Sequence, residues 1–413
     1  MKRTTTVIVG AGQSGLAMSR ELAARGVDHV ILERGKVANS WRTERWESLR
    51  LLTPNWMNGL PGAMYAGHDR DGYMSVAELI IRFKNYARAT NAPVMTETSV
   101  LRIAPFLKGY RVQTDQGAID CECVVVATGA ATLASRPGFA ADLPGDIAQF
   151  TPLDYKRPGD LPPGKILVVG ASASGTQIAR EIQSSGREVT LAVGEHVRVP
   201  RIFRDADILT WMKITGRWSE RFDQVEDLDR QRRLPSLQLT GEARGNPLDL
   251  NALQDIGIEL VGRMVAIRDG AALFSGSLSN VCAAADLKMD RLLNGFDTWA
   301  TEAGLQPFVD PSYKLPRTRI PTAPRLSIDL VREGFGAVVW ATGFRPDHSW
   351  IDLPVFDRKG HIQHQGGVVC RGLYVMGLPF LRRRKSTFID GAGDDARDLT
   401  THLVDSCRQT IAA

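Results

Sequence analysis

The sequence predicts an α/β protein with two parallel-sheet units, a small antiparallel β layer and helical insertions. Residues 7–15 (Val-Ile-Val-Gly-Ala-Gly-Gln-Ser-Gly) are a short apolar run that ends in a Gly-x-Gly-x-x-Gly turn and continues into a helical pattern. Residues 166–175 repeat this arrangement. A strand, such a turn and a helix in this order are typical of a nucleotide-binding unit. Two copies therefore predict two Rossmann-like, dinucleotide-binding domains.

The first turn has the residue types that a bound dinucleotide requires. Gly10 permits a tight turn, Gly12 lets the backbone approach a pyrophosphate, and Gly15 allows the helix to pack closely on the strand. The helix N-terminus, which begins with Gln13 and Ser14, would then face the phosphates.

An acidic residue follows the second predicted strand of this unit. Gly26 ends the helix, residues 27–32 have strand character, and Glu33 comes next. A carboxylate at this position binds ribose hydroxyls in dinucleotide-binding units. We therefore predict that Glu33 and its neighbour Arg34 contact the cofactor of the first unit.

The second unit lacks this acidic residue, because Val193 stands at the corresponding position. A carboxylate there would repel the 2′-phosphate of NADPH, whereas arginine side chains bind phosphate well. Arginines follow Val193, although a solvated basic loop is an alternative explanation for them. We predict NADPH in the second unit, with these contacts: Gly170, Ser172, Ser174, Gly175, Arg198 and Arg201.

Tryptophan and arginine are interleaved in residues 39–60, directly after the first unit. Such a pattern can stack the bases of single-stranded nucleic acid, and it can also wall the isoalloxazine ring of a flavin. After a turn of the FAD type the flavin role is favoured. Trp41 and Arg42 are therefore predicted cofactor contacts, and core packing is the alternative for Trp46 and Trp56.

Two Ala-Thr-Gly segments follow apolar runs in the two halves of the chain. Each is predicted to be a crossing between domains, where a turn of small residues lets the backbone approach a cofactor. These segments add Thr128, Gly129, Ala341, Thr342 and Gly343 to the predicted cofactor contacts.

The rest of the chain has the patterns of further strands and helices. Three short strands within residues 94–127 are expected to form the antiparallel layer. Ser75 is the expected N-cap of a helix within residues 73–88, and residues 201–241 and 283–315 have the apolar spacing of helical insertions.

A Pro-rich stretch before the second glycine turn marks a domain boundary. We predict that residues 1–160 and 336–413 form an FAD-binding domain. Residues 161–335 are predicted to form an NADPH-binding domain.

Near the C-terminus, four adjacent cations at residues 382–385 precede a glycine-rich helix start that contains Asp390. They are either a solvated run or neutralise a cofactor phosphate.

Composition limits the partners and the compartment. The formal net charge of +5 is modest and gives no reason to expect nucleic acid. No apolar run approaches the roughly 18 residues of a membrane span. Five cysteines without a C-x-x-C pair or zinc spacing suggest a reducing compartment, and no metal site is expected. We predict a cytoplasmic protein with a small-molecule substrate, and a homodimer remains open.

With these motifs the chain resembles the class B flavin-dependent monooxygenases, including flavin-containing monooxygenases, the plant enzymes of auxin synthesis and related bacterial flavoproteins. The resemblance covers nearly the full length. It implies that NADPH reduces FAD, that O2 adds to the reduced flavin as a C4a-hydroperoxide, and that one oxygen atom is transferred to a small nitrogen- or sulfur-containing substrate.

The sequence departs from the family pattern at three positions. Before the second domain the family has a His where this chain has Thr151, although Tyr155 and Lys156 are retained. Leu52 replaces an Asn near the flavin. Asn55 is expected to substitute for that Asn, beside Trp56, so these two residues are the predicted catalytic pair.

The third departure is near the C-terminus. Leu378 replaces an Asp that contacts the FAD ribityl chain in related flavoproteins, and Asp390, Asp394 or the helix start would take over this role.

Two alternatives to the N- or S-oxygenation of a small molecule remain. One is Baeyer–Villiger oxidation of a ketone, which the retained Tyr155 and Lys156 disfavour. The other is an NADPH oxidase or flavin-based redox sensor that oxygenates no substrate. Disulfide reduction is disfavoured because no cysteine pair lies near a glycine turn.

Overall fold

The computed structural model describes residues 2–242 and 247–411, with side chains described as far as residue 406. These residues form twenty strands: β1 (Lys2–Val9), β2 (His29–Leu32), β3 (Val94–Met95), β4 (Val100–Phe106), β5 (Gly109–Thr114), β6 (Gly117–Val126), β7 (Leu133–Ala134), β8 (Ala148–Phe150), β9 (Lys165–Val169), β10 (Val189–Ala192), β11 (Ile202–Phe203), β12 (Ala206–Asp207), β13 (Glu259–Val261), β14 (Met264–Arg268), β15 (Ala271–Phe274), β16 (Ser327–Asp329), β17 (Phe335–Trp340), β18 (Phe344–Arg345), β19 (Val368–Cys370) and β20 (Leu373–Val375). The α-helices in the same part of the chain are α1 (Gln13–Ala24), α2 (Asn39–Thr43), α3 (Val76–Ala89), α4 (Ala173–Ser184), α5 (Ile208–Ile214), α6 (Leu228–Arg233), α7 (Leu250–Asp255), α8 (Leu278–Glu302) and α9 (Ile389–Ile411).

The first sheet has the strand order β19-β20-β6-β1-β2-β3, and β4 and β5 extend it from β6 as an antiparallel layer. Strand β1 lies parallel to both β2 and β6. Its apolar residues are buried on both faces: Ile8 packs with the helices α1, α3 and α9, and Val7 and Val9 pack toward the β4–β5 layer. A strand covered on both faces needs a continuous apolar run, which explains the pattern at the start of the chain.

The second sheet is parallel throughout, with the order β13-β10-β9-β17-β8. Ile166 and Val168 of β9 pack with helices α4, α7 and α8, and Leu167 and Val169 pack with the small antiparallel sheet β14-β15-β16. The α/β class with two Rossmann-like units, an antiparallel layer and helical insertions is therefore confirmed.

The sheets divide the chain differently from the predicted boundaries at residues 160/161 and 335/336. Strands β8 and β17 both pair within the second sheet. The chain thus enters the second domain before residue 160 and leaves it after residue 340. Strand β8 is three residues long and β17 runs directly into an Ala-Thr-Gly crossing, so neither position gave a boundary signal. The two crossings lie side by side, because β7 pairs with β18.

Helices occur where the sequence predicted them, but their first and last residues differ from the predicted ones. Ser75 caps α3 and forms a capping box with Glu78, as the sequence indicated. The second insertion is shorter than predicted, because α8 ends at Glu302 and Gly304 follows with φ +67°. In the first insertion the hairpin β11–β12 precedes α5 and α6. No helix among the described residues is long and apolar enough to cross a membrane.

His364 gives the fold a pH-dependent element. Burial lowers its pKa to about 4, and the charges of Arg232 and His348 act in the same direction. The unfolded chain, with an ordinary histidine pKa near 6.5, binds the proton more readily, so stability is full above pH ~6.5 and falls as the pH drops toward ~4. The unfolding free energy of the wild type should fall between pH 7 and pH 5. We expect this fall to be about 1–2 kcal/mol smaller in His364→Gln, as measured by urea unfolding.

The matched control is His361→Gln, because the His361 side chain is 70% exposed. Its unfolding free energy should change with pH as the wild type does. A His364 variant that loses as much stability as the wild type would contradict the role of this residue.

Candidate functional site

The two glycine turns have the same backbone geometry. Gly10 has φ +107° and Gly170 has φ +109°. A Cβ at Gly10 would lie 2.7 Å from the Ala127 carbonyl oxygen, and one at Gly170 would lie 2.4 Å from that of Ala341. Glycine is therefore required at both positions by conformation and by space. In both units the alanine of the Ala-Thr-Gly segment lies against the first glycine of the turn.

The third glycine of each turn serves packing, and the middle position faces open space. A Cβ at Gly15 would lie 1.9 Å from the Gly10 oxygen, and Gly175 has the same relation to Gly170. A Cβ at Gly12 would meet nothing within 4 Å. Gly12 is also the N-cap of α1, so the open side lies at a helix N-terminus, where an anion is stabilised.

A cavity of about 600 Å³ begins at the first turn. It extends past residues 51–53 to residues 387–389, at the start of α9. Most of the predicted first-unit contacts line it: Gly10, Gly12, Gln13, Ser14, Glu33, Arg34, Trp41, Thr128 and Gly129. Arg42 lies outside, exposed, with its Nε donating to the Val37 carbonyl, which contradicts its predicted role. Ser236, Asp347 and Trp350 also line the cavity and carried no sequence signal.

The cavity fits FAD. Thr128 and Thr132 line it, and each has a buried hydroxyl oxygen with no hydrogen-bond partner among the described residues. A buried hydroxyl of this kind is normally satisfied by a ligand or water. Glu33 accepts hydrogen bonds from the Ala11 and Gly35 amides at 2.8 and 3.1 Å, which fixes the carboxylate beside the turn. Each oxygen keeps a lone pair that can accept from a ribose hydroxyl.

The predicted catalytic pair is not among the residues that line the cavity. Asn55 is 5% exposed and its Nδ2 donates to the Asp69 carbonyl at 2.8 Å. Trp56 packs against Lys213, whose Nζ lies 4.5 Å from the ring centroid. Leu51, Leu52 and Thr53 line the cavity instead. The catalytic role of Asn55 and Trp56 therefore stays a prediction that the cavity lining does not support, and the buried Oδ1 of Asn55 has no hydrogen-bond partner among the described residues.

The arginines that were predicted to bind a phosphate near the second turn are held by carboxylates. Arg198 is 2% exposed and binds Asp249 and Asp286, both at 2.6 Å. Arg201 binds Asp207 at 2.5 Å and donates to the Leu52 carbonyl at 2.8 Å. Both guanidinium groups are held in buried ion pairs, which does not support their predicted assignment to the 2′-phosphate.

Ser172 and Ser174 stand at the start of α4, where the geometry leaves their predicted role open. Ser172 is the N-cap of α4, and its side chain makes no capping hydrogen bond. Of the crossing residues, Ala341 packs against the second turn, Thr342 donates through its hydroxyl to the Ser135 carbonyl, and the Gly343 carbonyl accepts from the Ser135 amide at 2.9 Å. Thr342 and Gly343 therefore join the two crossings, and their predicted cofactor contact is not supported.

The C-terminal cations are paired with carboxylates. Arg383 binds Asp395 and Asp398, Arg384 binds Glu220, and Lys385 binds Asp390 and Asp394. Asp390 also accepts a hydrogen bond from the Trp218 indole at 3.0 Å. The predicted contact of Asp390 with FAD is therefore not supported, and the neighbouring residues Thr387, Phe388 and Ile389 line the cavity.

Lys156 connects the second domain to a loop of the FAD cavity. Its Nζ donates to the carbonyls of Thr43, Leu153 and Arg45 at 2.6, 2.9 and 3.3 Å. Burial lowers its pKa. Since Arg45 and its neighbour Glu44 line the cavity, Lys156 holds part of the FAD wall in place.

We expect Lys156→Met to release FAD about tenfold faster than the wild type, because it loses charged hydrogen bonds worth roughly 1.5–3 kcal/mol. The rate is followed by the recovery of free-flavin fluorescence on dilution. Lys165→Met removes a lysine that pairs with Glu188 on the surface, and it should release FAD at the wild-type rate. Equal rates in both variants would contradict the role of Lys156.

Comparison with known proteins gives one family. The pyridine nucleotide-disulphide oxidoreductase family matches residues 7–225. The "Uncharacterized oxidoreductase CzcO-like" of Geobacillus kaustophilus is 29% identical over 96% of this chain and 97% of its own. Indole-3-pyruvate monooxygenase YUCCA6 of Arabidopsis thaliana is 30% identical over 48% of this chain and 49% of its own.

Among solved structures, a flavin-containing monooxygenase from Stenotrophomonas maltophilia has the same fold, with a TM-score of 0.68 and 18% identity over 98% of this chain and 100% of that chain. The two glycine turns and the long cavity that fits FAD agree with these similarities. The chain belongs to the pyridine nucleotide-disulphide oxidoreductase family and has the fold of a flavin-containing monooxygenase.

Proposed function

We propose that this protein is an NADPH-dependent monooxygenase that transfers one oxygen atom from O2 to a small nitrogen- or sulfur-containing molecule. The balanced reaction consumes NADPH, a proton, O2 and the substrate, and it yields NADP+, water and the oxygenated product. The supporting observation is the FAD cavity, which lies in the first domain and is also lined by Ser236 from the second. FAD, held by Gly10, Gly12 and Glu33, would supply the redox chemistry that links NADPH to O2.

The chain's own residues then have three tasks. Gly10 and Gly12 bring backbone close to the FAD pyrophosphate, and Glu33 is placed to bind a ribose. Leu51 and Leu52 provide an apolar wall, and such a wall excludes water from the reacting groups. Lys156 fixes the loop that carries Arg45.

The cysteines argue against disulfide reduction in this member of the family. Cys121, Cys123, Cys282 and Cys370 form no disulfide with one another, and none of the four lines the FAD cavity. Burial raises the pKa of both Cys121 and Cys282 to about 12, so these thiols are poor nucleophiles. The same cysteines support a reducing, cytoplasmic compartment.

One observation favours a second candidate, an NADPH oxidase. Leu52 lies on the cavity wall at the position where the family has an amide, and Asn55 is held by the Asp69 carbonyl. A wall without this amide would provide fewer hydrogen bonds to activated oxygen. This property favours the release of hydrogen peroxide over oxygen transfer to a substrate.

A stopped-flow experiment separates the two candidates. FAD-loaded protein is reduced with NADPH and mixed with oxygenated buffer without substrate. A flavin adduct that persists for seconds supports the monooxygenase, and oxygenation of amines, sulfides or ketones then identifies the substrate class; products from ketones alone would favour Baeyer–Villiger oxidation. Immediate return to oxidised flavin with stoichiometric hydrogen peroxide supports the oxidase.

A further inference from the structure

A short segment of the second domain lies between the two cofactor sites. We define residues 236–240 as the bridging segment. Ser236 lines the FAD cavity, and the Nε2 of Gln238 donates to the Ala171 carbonyl at 2.7 Å. Ala171 stands between Gly170 and Ser172 in the second glycine turn. The segment therefore extends from the proposed NADPH site to the FAD site within three residues.

The bridging segment is held rigidly. The Gln238 amide donates to the Val197 carbonyl at 2.9 Å, and Gln177 of α4 donates through Nε2 to the Leu239 carbonyl at 2.9 Å. Gln238 is 2% exposed. The Nε2 bond to Ala171 fixes the side-chain amide of Gln238. The bonds to Val197 and from Gln177 fix the backbone of the segment around it.

The oxygen of this amide has no hydrogen-bond partner among the described residues. The Oε1 atom of Gln238 is buried and makes no hydrogen bond within the described part of the chain. Leaving such an acceptor unsatisfied is unfavourable, so a buried amide oxygen beside a ligand site points to a donor on the ligand. The oxygen of an amide can only accept, and the ionised phosphates of NADPH carry no hydrogen to donate. Water or a ligand can supply the missing donor, and the donors that NADPH offers are its hydroxyl and amine groups.

We propose that Gln238 is a positioning residue that accepts a hydrogen bond from the nicotinamide riboside half of NADP(H). The adenosine half would lie toward the end of β10, where Val193 occupies the position of the acid in the first unit. The bridging segment runs instead from the turn to the FAD cavity, the path that the nicotinamide must follow to reach the flavin. This inference rests on the proposed function, because it requires NADPH at the second turn.

The test measures binding to oxidised, FAD-loaded protein by calorimetry, so that no turnover is needed. Gln238→Met is nearly isosteric and has no acceptor. We expect its Kd for NADP+ to rise about three- to tenfold, the value of one neutral hydrogen bond. The Kd for 2′,5′-ADP, which has no nicotinamide riboside, should not change. Equal losses for both ligands, or no loss for either, would overturn the proposal.

Two further variants test whether the effect is specific to the Gln238 acceptor. Gln254→Met removes a glutamine that donates to the Leu250 and Arg319 carbonyls elsewhere in the same domain, and both Kd values should remain those of the wild type. If Gln238→Met loses FAD, Gln238→Asn carries the same comparison, because the shortened amide withdraws the acceptor from its present position.

The donor itself is identified with the 3-acetylpyridine analogue of NADP+, which lacks the carboxamide nitrogen. A wild-type preference for NADP+ that disappears in Gln238→Met supports the carboxamide as the donor. An equal loss for both dinucleotides in the variant supports the ribose hydroxyls. A wild type that binds neither NADP+ nor 2′,5′-ADP would overturn the cofactor assignment together with this inference, whereas an oxidase result in the stopped-flow experiment would leave it intact.

Discussion

Replacement of Gly12 by alanine is expected to give a folded protein that is purified without FAD. Gly12 has φ −88° and ψ −168°, a conformation open to any residue, and an added Cβ would meet none of the other described residues within 4 Å. The added methyl group therefore costs the chain almost nothing by itself. It occupies the space through which the turn approaches the pyrophosphate, and a steric conflict of about 1–3 kcal/mol weakens FAD binding by roughly ten- to hundredfold.

The measurement is the ratio of flavin to protein absorbance after purification, together with the melting temperature of the cofactor-free forms. Gly159→Ala is the matched control, since it too meets nothing within 4 Å and its backbone does not have a positive φ. It should retain full colour. A yellow Gly12→Ala protein would remove the first turn from the cofactor site, and a cofactor-free form that melts well below the cofactor-free wild type would assign Gly12 to folding instead.

The parts of the fold that the sequence predicted are those set by neighbours along the chain. The strand, turn and helix around Gly10 follow one another within residues 2–24, and the glycine spacing is enough to identify them. The capping box of Ser75 and Glu78 is equally local. Strand β8 was missed because its three residues, Ala-Gln-Phe, have no strand pattern and are ordered by pairing with β17, nearly 190 residues later.

The site predictions failed where a side chain finds its partner far along the chain. Asn55 had the right residue type, but its amide nitrogen donates to the Asp69 carbonyl, 14 residues away, and the residue does not line the cavity. Gln238 was overlooked because its contact, the Ala171 carbonyl, is 67 residues earlier. Residue type and spacing predict which chemistry is available, whereas the tertiary contacts decide which atoms remain available to a ligand.

Replacement of Arg198 is expected to lower folding stability strongly and to leave the choice between NADPH and NADH unchanged. Its Nη1 donates to Asp286 and to the Pro316 carbonyl, and its Nη2 donates to Asp249. Asp286 also accepts from the Thr318 amide and hydroxyl, so one buried guanidinium joins α8, the N-terminus of α7 and the loop near Pro316. Removing one partner of a buried ion pair leaves uncompensated charge and typically costs about 3–5 kcal/mol.

We therefore expect Arg198→Ala to lower the unfolding free energy by about 3–5 kcal/mol in urea, while the ratio of the Kd values for NADPH and NADH stays at the wild-type value. Arg319→Ala is the matched control in the same domain. Arg319 pairs with Asp255 at 2.5 Å, but the two side chains are 55% and 62% exposed, so the loss should be about 0–1 kcal/mol. The opposite result, wild-type stability with a selective loss of NADPH affinity, would mean that Arg198 leaves its two carboxylates to bind the 2′-phosphate. Such a rearrangement would bury two unpaired carboxylates, and this is the physical reason for expecting the structural role.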